Sequence, residues 1–510
     1  MGQQTHAVVI VGTGFAGLGM AIALTKAGVR DFVILEKAGR VGGTWRENTY
    51  PGCACDIRSH LYSFSFEPKP DWTREFAPQP EILQYIEHCV AKYRLGPHIR
   101  FGQEVTAAEY DEGGAAWDIT TAGGAEFRGR ALVIGQGPLH VPNIPELPGL
   151  DRFAGTAFHS ARWDHGYDLA GKRVAVIGTG ASAIQIVPQI APRAAHLTVF
   201  QRTAPWVMPR PDRAFTGRQQ DRFARSRLAR LAHRNLIYWV QESFVLGFEH
   251  PKLIKAAERI GRGHIARQVD DPALRRELTP GYTLGCKRTL VSSDYYPAYN
   301  RPNVDLETAG IAGIREHSIR MKDGREIETD AIIFGTGFHV TDAFGNIAIT
   351  GRDGIKLTDA WRDGITAHLG TTVAGFPNLF FLVGPNTGLG HNSIIFMIES
   401  QVRYIMSCLR LVARSRAASI EVRADAQQRF NRWVQEKSSG SVWLKGGCAS
   451  WYLDAEGVNR TLWPASTLSF WLRMRRVRPS DYILQPPGPQ WHQATARRQA
   501  TQASEGAAAA

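Results

Sequence analysis

Short, continuous apolar runs recur along the chain, and each of them ends at a glycine. The runs are AVVIV from Ala7, VAVI from Val174, AIIF from Ala331 and LFFLV from Leu379. A run of four or five apolar residues between turn signals is typical of a strand that is buried on both faces, as in a parallel sheet. The first two runs are followed by a helical pattern and a further strand, which is the order of a β-α-β unit. The pattern therefore predicts an α/β fold.

The first glycine turn carries a dinucleotide-binding signature. Gly12, Gly14 and Gly17 form G-x-G-x-x-G around Phe15, and Glu36 closes the following strand. The first glycine permits a tight turn, the second lets a pyrophosphate approach the backbone, and the third lets the helix pack on the strand. Glu36 is placed to accept hydrogen bonds from ribose hydroxyls. The turn predicts a site for a dinucleotide with free ribose hydroxyls, such as FAD.

The second glycine turn repeats this signature with one change. Gly178, Gly180 and Ala183 form G-x-G-x-x-A, but the next strand ends at Gln201 and Arg202 instead of at an acid. An arginine can pair with a 2′-phosphate that an acid would repel. The second site is therefore predicted to bind NADPH, with an ordinary surface arginine as the alternative for Arg202.

The pattern also divides the chain into domains. Between 211 and 284 it becomes helical and basic, as in RQQDRFARSRLARLAHRNL, and predicts a helical insertion. We expect two Rossmann-like dinucleotide-binding domains: an FAD domain at 1–145 and 339–485, and an NADP domain at 146–210 and 285–338. Residues 486–510 are rich in Pro, Gln, Ala and Arg without an apolar period, and predict a disordered tail.

Composition excludes several classes of protein. The 510 residues call for two or three domains, and 44% apolar with 21% charged residues is typical of a globular protein. No apolar run approaches the length of about 18 residues that a membrane span needs, and the first strand begins too early for a signal peptide. We expect a cytoplasmic protein without stable membrane insertion. The formal net charge is +13, but the cations are spread along the chain without a nucleic-acid-binding motif, so no nucleic-acid partner is predicted.

The cysteines indicate neither a metal site nor a disulfide framework. Six of them are scattered along the chain, and the Cys53-x-Cys55 pair lacks a second ligand pair. We therefore predict no metal and expect reduced thiols throughout.

Two further motifs lie outside the glycine turns. The stretch FAGTAFHSARWDH (153–165) fits F-x-G-x-x-x-H-x-x-x-W followed by P or D, through Phe153, Gly155, His159, Trp163 and Asp164. The stretch GGTWRENTYPGCACD (42–56) fits G-G-x-W, then Y/F-P-G and an acid. With these motifs, the chain resembles the type I Baeyer–Villiger monooxygenases, in the class B flavoprotein monooxygenases, over about residues 6–470.

The resemblance implies an activity. NADPH would reduce FAD, O2 would be activated on the reduced flavin, and one oxygen atom would enter next to a ketone carbonyl to give an ester or lactone. The partners expected are thus a small-molecule ketone and O2, with sulfoxidation as a second reaction. The protein must hold a fixed cation beside the flavin, polarise the carbonyl and exclude water.

The resemblance also assigns the catalytic residues, on the segment CKRTLVSSDYYPAYNRPNV (286–304). Arg288 is the catalytic arginine, and Asp56 is the carboxylate that orients it. An arginine suits this role because its guanidinium stays charged and offers several donors in one plane. Lys287 would join Arg202 at the 2′-phosphate. The alternatives are a basic pair on the surface and an aspartate that caps a turn.

The remaining family positions line the two cofactors. Those assigned to FAD are Phe15, Thr44, Trp45, Tyr62, Val105 and Ile394, and those assigned to NADPH are Thr179, Gly180, Ser182, Gln185, Thr203 and Trp451. The stretch 153–165 is predicted to join the two domains, with a hinge and packing role for His159 and Trp163 and direct catalysis as the alternative. His339 stands where many family members have an acid, and no role is assigned to it.

Three other functions stay open at this point. Flavin-containing and N-hydroxylating monooxygenases share both glycine turns but typically lack the ending that Trp163 and Asp164 provide, so these residues favour ketone oxygenation. A non-oxygenating flavoprotein would be an NADPH-dependent disulfide reductase or an oxidase. A reductase needs a Cys-x-x-Cys or Cys-x4-Cys pair, which the chain lacks after its first domain. A flavin-bound scaffold without turnover leaves the Lys287–Arg288 segment unexplained.

Overall fold

The computed structural model describes residues 4–249, 251–340, 345–448 and 450–487. It contains two large sheets, each flanked by helices, and a group of four helices between residues 217 and 277. Most of the predicted tail, residues 488–510, lies outside the described residues.

The strands follow one another along the whole described chain. In chain order they are β1 (Thr5–Val11), β2 (Phe32–Leu35), β3 (Ile99–Arg100), β4 (Val105–Asp111), β5 (Ala116–Thr121), β6 (Glu126–Ile134), β7 (Thr156–His159), β8 (Arg173–Ile177), β9 (His196–Phe200), β10 (Val207–Met208), β11 (Leu290–Val291), β12 (Val304–Glu307), β13 (Ile311–Ile314), β14 (Ser318–Met321), β15 (Glu326–Glu328), β16 (Ala331–Phe334), β17 (Ala348–Thr350), β18 (Leu379–Phe381), β19 (Ser419–Val422) and β20 (Tyr482–Gln485).

The helices range from one turn to more than six. In chain order they are α1 (Phe15–Lys26), α2 (Thr44–Glu47), α3 (Gln79–Lys92), α4 (Ala183–Ile190), α5 (Gly217–Arg225), α6 (Arg227–Glu249), α7 (Pro251–Gln268), α8 (Pro272–Glu277), α9 (Tyr295–Ala298), α10 (Leu357–Ala360), α11 (Ile394–Arg414), α12 (Ala424–Ser438), α13 (Val442–Lys445) and α14 (Thr467–Arg473). Within the described part of the chain, none of them combines the length and apolar character needed to cross a bilayer.

The larger sheet has β1 at its centre. Its order is β17-β4-β5-β6-β1-β2-β3, with β18 also paired to β6, and β1 runs parallel to both β2 and β6. Val8 and Ile10 face a core that includes α1 and α11, whereas Val9 and Val11 face a second core on the opposite side of the sheet. Because both faces are covered, the strand is a continuous apolar run instead of an alternating one.

The smaller sheet is parallel, with the order β12-β9-β8-β16-β7. Helices α5 to α8 lie between β10 and β11 in the chain. These two strands pair with each other, Val207 opposite Leu290, so the chain departs and returns at neighbouring points. The four helices are therefore accommodated without interrupting the five-stranded sheet.

The expectation of reduced thiols throughout is wrong for one pair of cysteines. Cys286 and Cys448 form a disulfide, with their Cα atoms 6.2 Å apart. The two residues are 162 positions apart in the sequence, and the fold brings the segment before Arg288 against the end of α13. Spacing along the chain could not show this pairing. Cys53, Cys55, Cys89 and Cys408 are buried free thiols.

Candidate active site

A cavity of about 1430 Å³ is lined by the C-terminal ends of strands from both sheets. Both glycine turns open onto it. Gly12 and Gly178 have φ values of +95° and +109°, a region that glycine adopts readily. A Cβ atom at Gly178 would lie 2.5 Å from the carbonyl oxygen of Gly335. The turns thus bring bare backbone to the cavity wall, as the sequence predicts.

The structure brings almost all of the predicted site residues to this one cavity. Those that line it are Gly12, Gly14, Phe15, Glu36, Thr44, Trp45, Asp56, Tyr62, Val105, Gly178, Thr179, Gly180, Ser182, Gln185, Arg202, Thr203, Lys287, Arg288, Ile394 and Trp451. Gly17 and Ala183 lie behind the glycine turns. A Cβ atom at Gly17 would be 1.9 Å from the carbonyl oxygen of Gly12, so α1 can approach β1 only because this residue is glycine.

Glu36 is fixed at the wall of the cavity. Its carboxylate accepts hydrogen bonds from the backbone N–H of Thr13 at 3.0 Å and of Ala38 at 3.0 Å. It also pairs with the Arg46 guanidinium at 2.9 Å. Sequence reasoning missed Arg46, because nothing in the pattern shows that α2 folds back onto the end of β2.

Aromatic side chains form another part of the wall. The Trp45 indole N–H donates to the Tyr62 hydroxyl at 3.1 Å, and the Tyr62 ring meets the edge of Phe15 with centroids 5.4 Å apart. Burial raises the pKa of Tyr62 well above its ordinary value, so its hydroxyl stays protonated. These contacts lock the three rings into a rigid apolar surface.

Asp56 and Arg288 meet at the cavity although 232 positions separate them in the sequence. The Arg288 Nε and Nη2 atoms donate to one carboxylate oxygen of Asp56, at 3.0 and 2.5 Å. The charge of Asp56 raises the pKa of Arg288 above its already high ordinary value. About a third of the Arg288 side chain remains accessible, 33% against 26% for Asp56. The site therefore presents a permanent, oriented cation to the cavity.

Tyr452 is a neighbour of this pair that sequence reasoning missed. It is 1% exposed, and within the described part of the chain its hydroxyl has no hydrogen-bond partner. Burial raises its pKa to about 12, and the positive charge of Arg288 opposes that rise. The only signal in the sequence is its position beside Trp451.

Arg202 and Lys287 form a second cationic region. Both line the cavity, and the pKa of Lys287 is lowered, first by burial and then by the like charge of Arg202. The Lys287 ammonium lies 5.2 Å from the centroid of the Tyr282 ring. Among the described residues neither cation forms an ion pair, and two such cations in one wall favour an anionic group between them.

The stretch 153–165 contacts both halves of the cavity. The buried His159 ring accepts a hydrogen bond from the Ala161 N–H at its Nδ1, so its Nε2 donates to the Gly337 carbonyl at 2.9 Å. Burial lowers the pKa of His159, which keeps the ring neutral. Arg162 pairs with Glu47 of α2. These contacts connect the second glycine-rich wall with α2, the helix that carries Trp45.

Gln185 makes a further connection of this kind. Its side-chain amide accepts from the Tyr50 hydroxyl at 3.2 Å and donates to the Ala54 carbonyl at 3.0 Å. The residue lines the cavity, but its amide is used to join α4 to the loop that ends at Asp56.

We expect His159→Ala to reduce turnover at least about tenfold while leaving most of the fold intact, because it removes the hydrogen bond to Gly337 that positions the stretch carrying Arg162 against α2, and leaves the glycine turns unchanged. Trp163→Ala, which removes an edge contact to Phe158, should act in the same direction. Steady-state NADPH oxidation with a ketone and the melting temperature are the measurements. His317→Ala, an exposed histidine of the same region, is the control. Full activity in both His159→Ala and Trp163→Ala would contradict the coupling role.

Comparison with known proteins assigns the chain to a family. Residues 9–229 match the family model described as pyridine nucleotide-disulphide oxidoreductase. The chain is 50% identical over 479 residues to a Baeyer-Villiger monooxygenase of Pseudomonas aeruginosa, a match that covers 94% of this chain and 91% of that protein. This chain belongs to the Baeyer–Villiger monooxygenase family.

A second relative and a solved structure support this assignment. A Baeyer-Villiger monooxygenase of Streptomyces coelicolor is 47% identical over 510 residues, covering 99% of this chain and 98% of that protein. The solved structure of OTEMO in complex with FAD and NADP is 27% identical, with a TM-score of 0.86, and the match covers 95% of this chain and 100% of that one.

These findings confirm the predicted family, the enzyme class and the α/β fold with two dinucleotide-binding domains and a helical insertion. The domain boundaries and the roles of individual site residues stay predictions. The matching family model is named after disulphide oxidoreductases, but this name does not indicate a reductase function for this chain. Cys53 and Cys55 are separated by only one residue, which is not the spacing of a reductase's cysteine pair, and both are buried.

Proposed function

We propose that this Baeyer–Villiger monooxygenase uses NADPH and O2 to insert one oxygen atom next to the carbonyl of a small-molecule ketone, giving an ester or lactone. The observation that carries the proposal is the Asp56–Arg288 pair, held at the junction of two cavity walls that each contain a glycine turn. The predicted cofactors, FAD and NADP(H), are those held by the solved relative, and this prediction is confirmed.

The residues of the cavity fit both cofactors. On the first wall, the backbone at Gly12 and Gly14 is open to a pyrophosphate. The Glu36 carboxylate at the end of β2 would accept hydrogen bonds from the ribose hydroxyls. On the second wall, Gly178 and Gly180 provide the same opening. The two walls differ in the charge that follows each turn, an acid on the first and Arg202 with Lys287 on the second. This difference supports FAD on the first wall and NADPH on the second.

When both are bound, FAD reduced by NADPH would supply the chemistry that activates O2, one atom of which enters the product while the other leaves as water. The Arg288 guanidinium, fixed by Asp56, would stabilise negative charge on the reacting oxygen and on the carbonyl oxygen as the new bond forms. Trp45, Tyr62 and Phe15 would hold the flavin ring and keep water away from it. Trp451, 45% exposed at the cavity, would contact the nicotinamide side.

Purified enzyme and a panel of linear, cyclic and aryl ketones test the proposal. NADPH consumption should rise above its ketone-free rate, and mass spectrometry should find a product heavier than the ketone by one oxygen atom. A hydroxylated product, with the carbon skeleton unbroken, would instead support the alternative of a hydroxylating monooxygenase. NADPH consumption that yields hydrogen peroxide alone with every ketone would contradict ketone oxygenation.

A further inference from the structure

Exposed apolar side chains are concentrated on three helices. Ten of the eighteen large apolar residues that are exposed in the described chain lie on α6, α7 and α14. The most exposed are Leu228 at 79%, Leu236 at 62%, and Trp239 and Phe244 at 56% each. Because these helices make up only a small part of the chain, this is a localised feature and not general surface character.

The orientation of α6 is fixed by its buried polar residues. Arg234 donates to the His60 carbonyl at 2.7 Å, and the Tyr238 hydroxyl bonds to the Thr467 hydroxyl at 3.0 Å. Glu242 is buried and accepts hydrogen bonds from Asn392 and Thr467. Since these side chains must face inward, α6 cannot rotate to bury Leu236, Trp239 and Val240. The helix therefore presents an apolar face to the outside.

The neighbouring helix α7 adds positive charge to this surface. Five exposed cations lie along it, namely Lys252, Lys255, Arg259, Arg262 and Arg267, with the exposed Leu253 and Ile260 between them. Within the described part of the chain, none of these five cations forms an ion pair with a side chain. The one acid of α7, Glu258, is half-buried and accepts from the Leu284 N–H at 3.1 Å. The predicted insertion as a whole holds fourteen Lys and Arg against eight Asp and Glu.

We propose that the exposed sides of α6 and α7, which we call the α6–α7 face, dock the enzyme on the surface of an anionic lipid bilayer. Leu236, Trp239 and Val240 would enter the boundary between headgroups and acyl chains, where tryptophan is favoured. The exposed cations Lys252, Lys255 and Arg259 of α7 would lie over the anionic headgroups, whereas Arg262 lies over the buried Trp206 ring. The helices would lie on the bilayer, which requires no membrane-spanning segment. Apolar ketones concentrate in such a layer, but the docking itself does not depend on the reaction.

Charge distinguishes this occupant from two others. A second copy of the chain on the same face would bring two rows of unpaired cations together, which is unfavourable. A nucleic acid would satisfy the cations but would leave Leu236 and Trp239 without an apolar partner. A bilayer with anionic headgroups satisfies both parts of the face at once.

The test uses the full-length FAD-loaded enzyme and sedimentation with vesicles. The enzyme should bind vesicles of phosphatidylcholine mixed with an equal part of phosphatidylglycerol, bind phosphatidylcholine alone much more weakly, and dissociate as salt is raised. Lys255→Gln with Arg259→Gln should lower the partition coefficient about thirtyfold. Arg410→Gln with Arg414→Gln, two exposed cations at the same spacing on α11, should leave it unchanged.

A second pair of variants tests the apolar part of the face. Trp239→Ser should lower the partition coefficient about tenfold, whereas Phe101→Ser, which is 42% exposed elsewhere, should not. FAD content and the melting temperature confirm that each variant is folded. Equal binding to both kinds of vesicle, or to neither, would overturn the proposal. A concentration-dependent dimer in ultracentrifugation that Trp239→Ser abolishes would also overturn it, since the face would then bind a second copy.

Discussion

An Arg288→Ala enzyme should make about 100- to 1000-fold less ester or lactone than the wild type, because one preorganised charge is lost from the place where negative charge develops. It should still bind both cofactors, since the glycine turns and Arg202 are unchanged. Flavin reduction should slow less than oxygenation. The variant is thus expected to act mainly as an NADPH oxidase that releases hydrogen peroxide. Rapid mixing of the reduced enzyme with O2, followed by product analysis with a good ketone, measures both steps.

Two further variants show whether the effect comes from oriented charge. Asp56→Ala keeps the arginine but removes the carboxylate that accepts from Nε and Nη2, so it should show the same defect in milder form. Arg288→Lys keeps the charge and loses the planar, two-donor geometry, and it should fall between alanine and the wild type. Near-normal ester formation by Arg288→Ala would remove this residue from the mechanism while leaving the family assignment intact.

The wild type should prefer NADPH to NADH by about tenfold or more, and the double variant Arg202→Ala, Lys287→Ala should bring that ratio close to one. Each charge-assisted contact with the 2′-phosphate is worth about 1.5–3 kcal/mol, and NADH lacks that phosphate. The ratio of kcat/KM for the two nicotinamides is the measurement. Arg320→Ala, an exposed cation of β14, is the control. An unchanged ratio in the double variant would place the 2′-phosphate elsewhere.

The same cations give a pH dependence. Burial and Arg202 lower the pKa of Lys287, so this side chain loses its proton at a lower pH than an ordinary lysine. The preference for NADPH should therefore be greatest below that pKa and decline as the pH rises through it. Lys287→Arg should remove the decline, because arginine keeps its charge.

The sequence could predict the parts of the site that are local in the chain. Gly12, Gly17 and Glu36 belong to one β-α-β unit, and backbone requirements alone place them. The Asp56–Arg288 contact joins residues far apart in the chain, so only the resemblance to a family could suggest it. Arg46 beside Glu36 had no such signal. Its position depends on how a loop folds back, which no periodic pattern describes.

The apolar face of α6 also could not be predicted from the sequence. Arg234 and Glu242 are charged, and a helical pattern alone assigns such residues to solvent and leucines to the core. The fold does the reverse, because both charged side chains find buried hydrogen-bond partners. The disulfide was missed for the same physical reason, since tertiary packing, not spacing, brings Cys286 to Cys448.

That disulfide turns part of the chain into a covalent ring. The ring starts at Cys286 and closes at Cys448, and it includes β12 and β16 of the smaller sheet as well as β17 and β18 of the larger one. A single proteolytic cut anywhere inside the ring would leave two fragments that migrate together on a non-reducing gel and separate only after reduction. The ring also anchors the backbone beside Arg288 to the segment that leads to Trp451. Any movement of the two dinucleotide-binding domains against each other would therefore carry the Arg288 cation together with the segment before Trp451, which is proposed to contact the nicotinamide.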